Sequence, residues 1–264
     1  MLLALLQENS AVLDVDANCS AIAAAAGTAA ARGADVLVTP ELFPVGYAPR
    51  RVRAELDTSL LPALRERLAG IARSNGIGLV YSLPRITAQG DWQISATLLD
   101  AGGAGLLSYG KVHLFGPDER AAFVPARERP AVVEFKGIPT SLLICYDVEF
   151  PESVRAAAVG GAELLLVPTA LGHGFDDVPR VLLRARALES QLTIAYANHS
   201  GEEEGCRFLG GSVVAGPDGG LLAEAGTEPQ LLYAEVDPDA AARERQIVPY
   251  LDERRPDLYR SWGL

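Results

Sequence analysis

A chain of 264 residues, 49% hydrophobic and 22% charged, carries enough apolar side chains to close a large core, which excludes disordered and fibrous classes. Acidic side chains outnumber basic ones 34 to 23, and the formal charge of -11 repels phosphate backbones and anionic bilayers, so neither nucleic acid nor a membrane is expected as partner. Cys19, Cys145 and Cys206 are odd in number and irregularly spaced, which suits neither a disulfide framework nor a zinc site; free thiols in a reducing cytoplasm are expected.

The opening Met1-Leu-Leu-Ala-Leu-Leu reads as a strand, because Gln7, Glu8 and Asn9 end it too early for an export signal and no basic residue precedes it. The spacing predicts a strand over residues 2–7, a helix capped by Asp16 and running to Arg32, and a strand over 35–39. The Ala-rich stretch of that helix is too short for a bilayer and is interrupted by Gly27 and Thr28. A second helix over 60–74 ends at Asn75-Gly76 and leads into a strand over 77–83. Such alternation places crossover helices on a buried sheet.

Beyond Trp92 strands dominate, at 93–99, 106–109, 131–135 and 140–144, separated by Gly and Pro turns. Helices return at 151–159 and 178–191 and alternate with strands at 163–167 and 193–197. Strands at 211–214, 221–224 and 231–235 follow, the first two joined by the turn Pro217-Asp218-Gly219-Gly220. Residues 243–264 are charged with aromatic inserts. No linker, low-complexity run or repeat divides the chain, so residues 1–264 read as one mixed α/β domain.

Three residues stand at strand ends. Cys145 closes the apolar run Ser141-Leu-Leu-Ile144, and Pro151 starts a helix soon after. Ligand crevices form at the carboxyl ends of such strands, where a thiol on a tight turn meets free backbone N–H groups; alone, Cys145 reads as readily as an inert buried cysteine. Glu41 ends Val36-Leu-Val-Thr-Pro40 among Phe43, Pro44 and Tyr47, where desolvation raises a carboxyl towards the range useful for a general base. A surface or capping glutamate is the plainer account of that residue taken singly. Lys111, in Leu106-Leu-Ser-Tyr-Gly-Lys-Val-His-Leu-Phe115, sits in apolar company where its ammonium either snorkels to water or binds an oxyanion.

Taken together, Thr39-Pro-Glu41-Leu-Phe-Pro-Val-Gly-Tyr47, Tyr109-Gly-Lys111-Val-His-Leu114 and Ile144-Cys145-Tyr-Asp-Val-Glu-Phe-Pro-Glu152 resemble, in that order, the nitrilase superfamily of carbon–nitrogen hydrolases. The resemblance continues through Gly33-Ala-Asp35, Arg184-Ala-Arg-Ala-Leu-Glu-Ser-Gln191, Ala197-Asn198 and Gly216-Pro-Asp-Gly219, and so covers nearly the whole chain. It implies a four-layer α-β-β-α sandwich of two mixed sheets, a Glu41, Lys111 and Cys145 triad, and a second glutamate, Glu119, in Glu119-Arg-Ala-Ala-Phe123-Val-Pro125. Ala126 stands where the family usually has glycine. The implied chemistry is acyl transfer through a Cys145 thioester, with Glu41 as base, Lys111 and the Tyr146 N–H at the oxyanion, and no metal or organic cofactor.

Other readings fit less well. Gly105-Leu-Leu-Ser-Tyr-Gly110-Lys111 matches part of a phosphate loop, but Val112 replaces the required hydroxyl and Val-His-Leu-Phe reads as strand. His113, His173 and His199 lack metal-ligand spacing and read as hydrogen-bonded structural residues; Ser212 lacks the second glycine of a nucleophile elbow. A binding protein without turnover would be expected to have lost one of the three site residues. Tyr146-Asp147 after the thiol resembles the amidase branches rather than the Trp-Glu of nitrilases. Glu149 disfavours a substrate carboxylate, so a neutral or amine-bearing amide is expected, with N-carbamoyl compounds, ω-amides and nitriles as alternatives. Tyr47, Tyr146, Glu149 and Leu171, the last in place of a frequent tryptophan, are the expected substrate contacts. The resemblance also implies a homodimer, with Arg254-Arg-Pro-Asp-Leu-Tyr259 crossing to the partner.

Overall fold

The structure is a computed structural model that describes residues 1–263. Among the described residues fourteen strands occur: β1 (Leu2–Gln7), β2 (Val36–Val38), β3 (Gly78–Ile86), β4 (Trp92–Leu99), β5 (Gly105–Gly110), β6 (Val133–Phe135), β7 (Ile138–Leu142), β8 (Leu164–Thr169), β9 (Thr193–Asn198), β10 (Glu202–Glu203), β11 (Cys206–Arg207), β12 (Val213–Ala215), β13 (Leu221–Glu224) and β14 (Gln230–Glu235). They form two six-stranded sheets, ordered β14-β1-β2-β3-β4-β5 and β13-β12-β9-β8-β7-β6, and a small β10-β11 hairpin. In each large sheet three adjacent strands run parallel, β1-β2-β3 and β7-β8-β9, and the outer strands are antiparallel. Parallel strands need cover on both faces. Accordingly Val36–Val38, Leu164–Thr169 and Thr193–Asn198 are buried at every residue, and the first two are rich in branched apolar side chains.

The helices are α1 (Val15–Ala31), α2 (Pro49–Glu55), α3 (Leu61–Asn75), α4 (Gly116–Ala122), α5 (Pro151–Val159), α6 (Leu183–Ser190), α7 (Ala240–Ile247) and α8 (Pro256–Ser261). Helix α1 packs on α3 and β2, and α3 on β3, which covers the outer face of the first sheet; α6 packs on β9 and β12 with α5 beside it, which covers the second. The inner faces meet through β1 with β9, β3 with β8 and β5 with β7. The result is the expected α-β-β-α sandwich. Among the described residues, no helix is long and apolar enough to cross a membrane.

Several local expectations change. Asp14, not Asp16, caps α1: its carboxylate accepts the Ala17 N–H at 3.0 Å, while Asp16 lies in the first turn and pairs with Arg67. Strand β7 ends at Leu142, two residues earlier than expected, so Leu143 and Ile144 carry the chain from the sheet to Cys145. Val112 to Leu114 is irregular rather than strand. Helices α2 and α4, seven residues each, are too short to print a helical period, although each starts with the Pro favoured in a first turn. The charged tail contains α7 and α8.

Candidate active site

Glu41, Lys111 and Cys145 all follow strand ends of the two facing sheets, after β2, β5 and β7, and the sandwich brings them together. Backbone strain marks two of the turns. Cys145 itself has φ +46°, and Leu42, next to Glu41, has φ +54°, a region that residues with a Cβ adopt only when their surroundings enforce it. The Glu41 N–H donates to Thr169 O at 3.1 Å, so the second sheet holds the turn of the first. Lys111 Nζ donates to Glu41 Oε1 at 2.8 Å and to Glu119 Oε1 at 2.7 Å, with all three side chains removed from water. Glu119 arrives from the first turns of α4. Its Oε1 also accepts Tyr47 Oη at 2.6 Å, and its Oε2 accepts the Phe115 N–H at 2.8 Å.

One ammonium between two carboxylates sets the electrostatics. Burial disfavours the Lys111 cation, but Glu41 and Glu119 outweigh that and hold it above the usual lysine range. Burial pushes the Glu41 carboxyl up to about 7, Lys111 opposes the rise, and Glu119 adds to it. The second Glu41 oxygen, Oε2, is buried without a hydrogen-bond partner, and the Cys145 thiol adjoins this carboxyl. Desolvation first, then Glu41, lift the Cys145 thiol well above its ordinary value, against the pull of Lys111 and of the Ala170 backbone N–H. A neutral thiol beside a carboxylate that titrates near neutrality is the arrangement required for proton transfer during attack.

Two features escaped the sequence reading. Asp147, noted there only as a branch marker, is fully buried and accepts from Tyr109 Oη (3.1 Å), the His113 N–H (2.8 Å) and the Val112 N–H (3.4 Å), with His113 Nδ1 at 2.9 Å. It thereby ties the segment around Lys111 to the turn of Cys145. A buried Asp two residues after the candidate nucleophile was the available signal. The second is the partner of His199: this buried residue, expected to be hydrogen-bonded, places Nε2 2.6 Å from the Glu41 carbonyl oxygen. Ala126 proves compatible with its turn: it has no positive φ, its N–H donates to Lys111 O at 2.8 Å, and its methyl occupies the space that a Cβ on Gly110 would need.

A cavity of about 670 Å³ opens over the cluster, with Tyr47, Glu119 and Ala170 at its base and Phe115, Phe175 and the β10-β11 hairpin among its walls. Of the expected substrate contacts, Tyr47 lines this cavity. Tyr146 lines a neighbouring depression with His113 and Phe150, and meets the cavity only through an edge contact with Phe115 at 5.2 Å. Leu171 is buried, its backbone clamped by Asn198, while its neighbours Ala170 and Gly172 face the cavity. Glu149 is half-buried outside the lining, with its carboxyl raised by desolvation. His113 and His199 are hydrogen-bonded as expected, and the Ser212 hydroxyl is used structurally, accepting the Asn198 N–H at 2.9 Å. All three cysteines are free.

Known proteins share this fold. The carbon-nitrogen hydrolase family profile matches residues 2–246. An amidase from Nesterenkonia sp. is 48% identical, superposes with a TM-score of 0.93, and covers 99% of this chain and 96% of its own. A mutant of the amidase from Nesterenkonia sp. AN1, also at TM-score 0.93 and 48% identity over 99% of this chain and 96% of its own, shows covalent addition of the acetamide moiety of fluoroacetamide at the active site cysteine. The 2-oxoglutaramate amidase of Bacillus subtilis is 32% identical over 226 residues, covering 86% of this chain and 87% of that protein. The chain belongs to the carbon-nitrogen hydrolase family and is a hydrolase of carbon–nitrogen bonds.

Proposed function

We propose that the protein is a thiol-dependent amidase that converts a small neutral or amine-bearing carboxamide to the acid and ammonia. The observation that carries this reading is the buried ammonium of Lys111, 2.8 and 2.7 Å from Glu41 and Glu119, beside a strained Cys145, with Glu119 itself lining an open cavity. Glu41 takes the Cys145 proton as sulfur attacks the carbonyl carbon. The oxyanion that develops is held by Lys111 and by the Tyr146 N–H, which lies in the first turn of a 3-10 segment where no intrahelical acceptor exists. Glu41 then passes its proton to the leaving amine, the C–N bond breaks, and a thioester remains. Water enters, Glu41 removes its proton, and collapse expels the thiol and the acid. Glu119 holds Lys111 and Tyr47 in place.

Most charges on the cavity walls cancel in pairs, Arg50 with Asp118 and Arg51 with Glu204, which suits a neutral substrate. Among the described residues, Arg207 lines the cavity outside these ion pairs, and it favours a second reading, an ω-amide with a distal carboxylate. The relatives support the amide class: one is an amidase modified at its cysteine by an acetamide moiety, another a 2-oxoglutaramate amidase. Residues 1–264 act in this reading as one domain. Free thiols fit a cytoplasmic protein. The groove between α5 and α8, lined by Val159, Tyr250, Tyr259 and Trp262, fits a homodimer contact, which light scattering of the purified protein tests.

Ammonia release from aliphatic, amino-acid, ω-dicarboxylic and N-carbamoyl amides and simple nitriles, for wild type and Cys145→Ala in parallel, tests the function. Turnover of neutral amides by wild type alone is expected. Preference for the ω-dicarboxylic amide selects the second reading, and equal release by both proteins removes Cys145 from the mechanism.

A further inference from the structure

The β10-β11 hairpin forms one wall of the cavity, and a buried pair links it to the Glu41 turn. His199, just after β9, has Nε2 2.6 Å from Glu41 O and Nδ1 2.8 Å from Glu203 Oε1. Burial opposes the imidazolium, but Glu203 outweighs it and raises the ring above the usual histidine range, with Glu41 adding to the rise. Glu203 in turn accepts the Ser10 N–H at 3.0 Å and the Tyr47 N–H at 2.7 Å, and Tyr47 Oη reaches Glu119. The ring is stacked between Phe43 and Phe208, with centroids 5.7 and 4.8 Å away, and cannot turn without opening the core. The pair thus grips both the backbone of Glu41, whose next residue is the strained Leu42, and the backbone of Tyr47.

A buried ion pair is weak evidence for stability, because well-packed apolar groups of the same volume do as well. Its directional bonds end on the two residues that flank the Lys111 cluster, which points to orientation as its use. We infer that His199 and Glu203 are positioning residues that fix the Glu41 carboxyl against the Cys145 thiol and couple it to the hairpin wall of the cavity. This rests on the reading of Glu41 as the base. The ionisable groups facing Glu41 are Lys111, Glu119 and Cys145, with His199 and the Tyr47 and Tyr196 hydroxyls farther off; Glu203 and, more weakly, Glu41 are charged against His199.

The test compares wild type, His199→Leu, His199→Gln and Glu203→Gln by kcat and KM on an amide the wild type hydrolyses. It adds the pH dependence of alkylation by iodoacetamide, with Cys145→Ala subtracting the other thiols. His199→Leu is expected to lower kcat about 10- to 100-fold through misplacement of the base, with KM changed less than about threefold. It also slows Cys145 alkylation and moves the acid limb to higher pH, since a cation near Glu41 is gone. Glu203→Gln lowers kcat likewise but, since it removes an anion, does not move the limb upward. His199→Gln, whose side-chain amide can still donate to the Glu41 carbonyl, recovers most of the loss. Equal losses in His199→Leu and His199→Gln with the wild-type limb unmoved overturn the inference and leave the pair purely structural. A wild type without any Cys145-dependent acid limb removes Glu41 as base, and the inference with it, before any variant is compared.

Discussion

Tyr109 Oη donates to Asp147 Oδ2 across 3.1 Å, so the strand that leads into Lys111 is tied to the turn that carries Cys145 by a bond wholly inside the protein. The same carboxylate takes the backbone N–H of His113 at 2.8 Å. Asp147→Ala would leave the buried Tyr109 hydroxyl unsatisfied, at about 1–3 kcal/mol, and the part-buried His113 N–H without its partner. A urea unfolding series should register a loss of that order, with kcat reduced about 10-fold or more as the Lys111 segment loosens. Asp147→Asn, which retains one acceptor oxygen, should lie between.

Activity should follow the protonation of Glu41. The base works as a carboxylate, so kcat/KM rises with pH through an acid limb near the value of about 7 that burial imposes on this group. Glu119 raises that value. Glu119→Gln therefore moves the limb to lower pH even while the rate falls, and a limb displaced upward in that variant would count against the assignment.

Lys111→Met removes the only cation between two buried carboxylates at hydrogen-bond distance. Breaking such a pair typically costs about 3–5 kcal/mol. Without the ammonium, the folded-state pKa of Glu41, already raised by burial, lies still further above its unfolded one. The folded state then binds more protons, and stability falls as pH rises. Thermal melts of the variant should thus improve between pH 8 and pH 5 more steeply than those of wild type, where Lys111 limits the rise of Glu41 to about 7.

Gly110 meets Ala126 closely: a Cβ there would lie 2.6 Å from the Ala126 methyl, and 2.5 and 2.8 Å from the movable ends of Arg85 and Glu128. Gly110→Ala should destabilise by about 1–3 kcal/mol through overpacking. The double variant Gly110→Ala/Ala126→Gly should recover a good part of this, giving a coupling above about 0.5 kcal/mol in a double-mutant cycle.

The strands were legible where their neighbours agree with local pattern. Leu2–Gln7, Leu221–Glu224 and the helix Pro151–Val159 begin and end where apolar runs, glycines and a leading proline place them. Helices α2 and α4 were not legible, since seven residues carry too little periodicity. Glu119 was reached only through the family resemblance of its segment before Pro125, without the helix that aims it. Asp147 and His199 were visible as residues but not as contacts: their partners lie 34 to 38 and 158 positions away in the chain.

Sequence alone determined the chemical types available, a thiol, two carboxylates and an ammonium beside apolar strands, because strand ends and turns are local properties of the chain. It could not determine that Lys111 Nζ would sit between Glu41 and Glu119, 70 and 8 residues away, or that Glu41 would be shut off from water. Only the facing of the two sheets decided that. The reason is physical: a carboxyl is moved towards neutrality by the loss of solvent and by charges within a few ångströms, and both are properties of the packed sandwich rather than of any segment of the sequence.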